Sequence, residues 1–68
     1  MKFNFVQYWS YVDELEAAQL GDLWWQIHTT IPRISGSTGN PDLAMLEITK
    51  LVEAYRKYGS HVITLYNL

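Results

Sequence analysis

Apolar and polar positions change period several times along this chain, and the changes mark out its elements. Residues 2–9, KFNFVQYW, set Phe3, Phe5 and Trp9 against Asn4, Val6 and Tyr8, with Gln7 as the imperfection. That aromatic-rich, period-two run predicts a strand. Ser10 then stands where a helix cap belongs, with Asp13 three residues on in the manner of a capping box, so a helix is predicted over about 11–20.

Gly21-Asp22 breaks the pattern. At about 100° per residue, Tyr11, Val12, Leu15 and Ala18 gather round one direction. Leu20, Leu23, Trp24, Ile27 and Ile31 gather round another, roughly 140° away. One straight helix cannot turn both stripes to one core. The spacing therefore predicts a first helix ending at Leu20, Gly21 capping it at positive φ, and Asp22 opening a second helix; a kinked continuous helix is the alternative. The second helix stops by Ile31, because Thr29, Thr30 and Ile31 are β-branched and Pro32 follows.

PRISGSTGNP, residues 32–41, is loop by composition. Asn40 then caps a third helix with Pro41 at its first position and Asp42 near the positive end of the dipole. Ala44, Ile48, Leu51, Val52 and Tyr55 form its apolar stripe, Arg56 and Lys57 sit at its negative end, and Gly59 ends it. HVITLYNL, residues 61–68, is β-branched and aromatic and predicts a closing strand. The sum is one α+β domain over residues 1–68, ordered β-α-α-α-β, with a short sheet formed by the two chain ends. A mostly α, three-helix fold is the alternative.

On the second helix Trp24 borders the stripe of Leu20, Leu23, Ile27 and Ile31, whereas Trp25 lies about 150° from its centre, alongside Thr29. Trp24 is thus the core tryptophan and Trp25 the outlying one. On the third helix Leu46 falls about 180° from the stripe, among Lys50, Glu53 and Lys57, and Leu43 is also off it. Trp25, Leu46, Leu43 and Thr29 are the interface candidates; tryptophan is over-represented among residues that carry binding energy.

Composition narrows the classes. With 68 residues, the chain buries only about 60% of the surface its unfolded form exposes, so oligomerisation or a dense aromatic core has to help. There are no cysteines, which removes disulfides and thiolate metal sites, while 49% apolar and 15% aromatic residues support a folded core. A formal charge of −2 speaks against nucleic-acid binding, and no run approaches the length of a membrane span. Asn4, Gln7 and Ser10 interrupt the opening apolar run, so it does not read as a signal peptide, and a cytoplasmic location is expected.

Catalytic and metal chemistry find no support in the spacing. His28 and His61 are not at metal-ligand spacing, and adjacent Ser60 and His61 would point to opposite faces of a strand. SGSTGNP, residues 35–41, runs into a helix N-terminus where an anion could bind, but it lacks the lysine of a phosphate loop. No cofactor and no metal are expected. The residues point to a non-enzymatic protein–protein interaction module of the small inhibitor or immunity type, phage-encoded inhibitors of host defence included. A small subunit or assembly factor of a larger complex and a small-molecule or anion binder using the 35–41 loop are the alternatives. Self-association is expected as well, either edge to edge through the sheet or across the Trp25 face.

Overall fold

The computed structural model describes residues 2–27 and 40–66. Helix α1 spans Phe5–Ala17, residues 21–27 are helical and form α2, and α3 spans Pro41–Tyr58. A 3₁₀ turn over Gly59–His61 leads into the short α4, Val62–Tyr66. No strand occurs among the described residues, so the α+β fold with a sheet made by the chain ends is wrong; the protein is helical there.

The first strand gives way to α1 because Asn4 starts a helix. Asn4 is extended (φ −125°, ψ 112°), and its side chain accepts the Gln7 N–H at 3.0 Å while its carbonyl accepts the Tyr8 N–H at 2.8 Å. That is the geometry of an N-cap. The buried positions are then Tyr8, Val12 and Leu15, an i, i+4, i+7 stripe, and Phe5, Val6 and Trp9 turn outward. A helix also pairs its own backbone groups, whereas a two-stranded ribbon in water leaves half of them to solvent.

The turn expected at Gly21 exists, but two residues earlier and by another device. Gln19 takes the left-handed conformation at φ 63°, and Gly21 is an ordinary helical residue opening α2. The Leu20 N–H reaches the Leu15 carbonyl at 2.7 Å and the Gln19 N–H reaches that of Glu16 at 3.0 Å. These are the two bonds of a Schellman motif, and the buried Leu15 and Leu20 supply its hydrophobic contact. The Leu20 carbonyl then accepts from Trp24 at 3.1 Å, so one residue closes α1 and opens α2. Glutamine is poorly suited to left-handed backbone. Gln19→Gly is accordingly expected to stabilise the fold by about 0.5–1 kcal/mol, read as a higher denaturation midpoint at unchanged slope.

Helix α3 carries the caps that the sequence announces. The Asn40 side chain accepts the Asp42 N–H at 2.9 Å, Pro41 is in the first turn, and Gly59 ends the helix at φ 62°. Its buried set, Ala44, Met45, Ile48, Thr49, Leu51 and Val52, is wider than one stripe because α1 packs on it and so do the 3₁₀ turn and α4. Buried Thr49 satisfies its hydroxyl on the Met45 carbonyl at 2.7 Å. The expected closing strand is replaced by α4, whose Val62 is fully buried in the same core as Leu15, Trp24 and Ile48. A turn of helix seats Val62 in the core without exposing a strand edge.

Two polar contacts fix α1 on α3. The Phe3 N–H donates to the Asp42 carboxylate at 2.8 Å. Arg56 grips Glu14 with both arms, Nε to Oε1 at 2.9 Å and Nη2 to Oε2 at 2.7 Å, and its guanidinium lies 5.7 Å from the centre of the Tyr11 ring. The bond from Arg56 holds the Glu14 carboxyl below its ordinary value of 4.5. A carboxyl lowered in the folded state contributes stability above its unfolded pKa and loses it as pH falls through the folded one. Glu14→Gln should therefore lower the melting temperature modestly at pH 7, and the gap from wild type should close on acidification below about pH 4 as Glu14 protonates. Melting curves of both proteins from pH 7 to pH 3 check this.

Candidate interaction surface

The adjacent tryptophans of α2 part company as the helical spacing requires. Trp24 is 1% exposed and meets the Tyr8 ring edge-on, centroids 6.0 Å apart. Burial raises the Tyr8 phenol above its usual value, and the Trp24 indole beside it pulls it part of the way back. Trp25, one residue and about 100° further round, is 53% exposed. Beside it lies a shallow hollow of about 310 Å³ lined by Glu16, Gln19, Gly21, Asp22 and Trp25. The left-handed Gln19 shapes that hollow, because it swings the chain so that the start of α2 stands next to the end of α1.

Among the described residues lining the hollow at Trp25, the charges share a sign. Between Phe3 and Ile27 the chain holds Asp13, Glu14, Glu16 and Asp22 and no lysine or arginine. Glu14 is engaged by Arg56, which leaves Asp13, Glu16 and Asp22 as the exposed acids of this half of the molecule. Residues 40–66 are balanced, with Asp42, Glu47 and Glu53 against Lys50, Arg56 and Lys57. Carboxylates at the rim favour a guanidinium or ammonium against them.

The other candidates fall differently. Leu43 is 39% exposed at the start of α3. Leu46, which the wheel sets opposite the core, is half-buried. Both belong to α3, and no α3 residue lines the hollow at Trp25, so the structure does not gather the candidates into one patch there. Thr29 lies outside the described residues, as do His28 and residues 35–39 of the loop considered for anions. At the end of that loop the first turn of α3 already holds the Asp42 carboxylate, where an anion would have to sit.

Sequence reasoning missed a second apolar surface. Phe5, Val6 and Trp9 stand out from α1 at 67%, 82% and 51% exposure, with the Phe5 and Trp9 rings 6.5 Å apart. The signal was Asn4 three residues ahead of Gln7, which starts a helix and turns these three side chains to one outer flank. Elsewhere, Ser60 and His61 occupy the 3₁₀ turn and both are exposed. Among the described residues no group of three or more histidines and carboxylates could hold a metal, and no helix is long and apolar enough to cross a membrane. No protein-family model, curated protein or solved structure matches the chain.

Proposed function

We propose that the chain is a non-enzymatic protein–protein interaction module, a small cytoplasmic protein of the inhibitor or immunity type. The observation that carries this reading is the half-exposed Trp25 beside a hollow bordered by Glu16 and Asp22. Exposed tryptophan is costly in water and is concentrated among residues that dominate binding energy. The acidic rim selects a partner surface that is basic as well as apolar.

The test is capture from the native host with wild-type protein and with Trp25→Ala, followed by titration of the captured protein in purified form. A partner held by wild type and weakened by about 2 kcal/mol or more in Trp25→Ala supports the reading. Its on-rate should fall as salt rises, as expected for a basic surface steered to an acidic one. A partner that binds both proteins equally, or none that depends on Trp25, overturns it.

A further inference from the structure

The outer flank of α1 goes beyond the Trp25 surface, and we infer that it is a self-association face: two copies of this chain pack α1 against α1, antiparallel, across a twofold axis. Phe5, Trp9 and Asp13 are spaced i, i+4, i+8 along α1, so they form one row, and Val6 flanks it. Residues 3–12, FNFVQYWSYV, contain no charged residue, so two such faces meet without like charges in the middle. Depletion of charge with enrichment of aromatics marks the centre of an interface.

The same row fixes the direction and register. A twofold interface matches a surface to itself, so it has to be self-complementary. Centred near Gln7, an antiparallel pair sets Phe5 of each copy opposite Trp9 of the other. It also carries each Asp13 past the apolar patch to the other copy's N-terminal segment, where exposed Lys2 stands. Moving the centre to Trp9 would set Phe5 against Asp13, an apolar ring on a carboxylate. A parallel pair would oppose Asp13 to Asp13. Only the first arrangement joins ring to ring and cation to anion. Three apolar side chains make a small face beside the roughly 800 Å² per partner of a standard interface, so the association is micromolar. The sheet-edge dimer expected from the sequence has no counterpart, because no strand occurs among the described residues.

Sedimentation equilibrium of the full chain across the micromolar range tests this against the 7.9 kDa monomer mass. Wild type should move to twice that mass and no further, since a twofold face closes on itself. Val6→Glu should raise the dimer dissociation constant about tenfold or more, through an unpaired carboxylate at the centre of the face. Val6 is 82% exposed, so circular-dichroism melting should show the variant as folded as wild type. Asp13→Lys should weaken the dimer several-fold, and Lys2→Asp combined with Asp13→Lys should restore it. Trp25→Ala should leave it unchanged, which separates this face from the partner surface. A wild type that stays at 7.9 kDa overturns the inference. So does a folded Val6→Glu that dimerises like wild type, a dimer lost in Trp25→Ala, or a double variant no better than Asp13→Lys.

Discussion

Trp24→Ala is expected to cost about 3–5 kcal/mol of folding stability, whereas Trp25→Ala should change it by no more than about 0.5 kcal/mol. The contrast follows from position alone, since the two side chains are identical and adjacent. Trp24 is 1% exposed and packs in one cluster with Tyr8, Leu15, Leu20, Met45, Ile48 and Val62. Truncating it opens a cavity where α1, α2 and α3 share their core. A chain of this length has about 3–10 kcal/mol of stability in all. Trp24→Ala should therefore be partly or wholly unfolded at 25 °C, with loss of a cooperative urea transition. Trp25→Ala removes a ring already half in water and should melt with wild type. Urea titrations followed by circular dichroism decide it, and equal losses in the two variants would make both tryptophans core.

Those tryptophans were legible because a helical stripe of Leu20, Leu23 and Ile27 surrounds one and excludes the other. The third helix was legible for a similar reason: Asn40, Pro41, Asp42 and Gly59 each favour their observed positions by local chemistry, independent of what packs against them. The chain ends were not. In an aromatic run of eight residues, alternation and helical spacing share too many positions to be told apart, and the deciding feature was one cap, Asn4 on Gln7. The α1–α2 turn was legible as a break in the stripe but not in detail, because the left-handed position fell to Gln19 although a glycine stood two residues away. There the two backbone bonds of the motif and the Leu15–Leu20 contact outweigh residue preference. Leu46 shows the limit of wheel arithmetic. α4 packs on α3, the helix that carries Leu46, and Leu46 is half-buried where the wheel sets it opposite the core. A segment read as strand gave the wheel no such neighbour.

Val62→Asp is expected to be as damaging as any single change in the chain, with Thr64→Asp nearly silent. Val62 is fully buried in an apolar cluster, and a carboxylate there must either stay charged in that core or take up a proton. The expected cost is about 3–5 kcal/mol, enough to undock α4 or unfold the domain. Thr64 is the informative control. In a strand, residues 62, 64 and 66 would share one face, and Thr64 would be buried with Val62. In a helix, Val62 and Tyr66 fall one turn apart on the core side while Thr64 points away, and Thr64 is exposed. Thr64→Asp should therefore shift the melting temperature by no more than a degree or two. Val62→Asp should recover part of its stability as pH falls from 7 toward the unfolded aspartate value of about 4, because burial raises the folded carboxyl and protonation removes the buried charge. Thermal melts of both variants at pH 7 and pH 4 separate the two geometries. Equal damage at 62 and 64 would mean that the segment packs as a strand, and no damage at 62 would mean that α4 does not dock on the core.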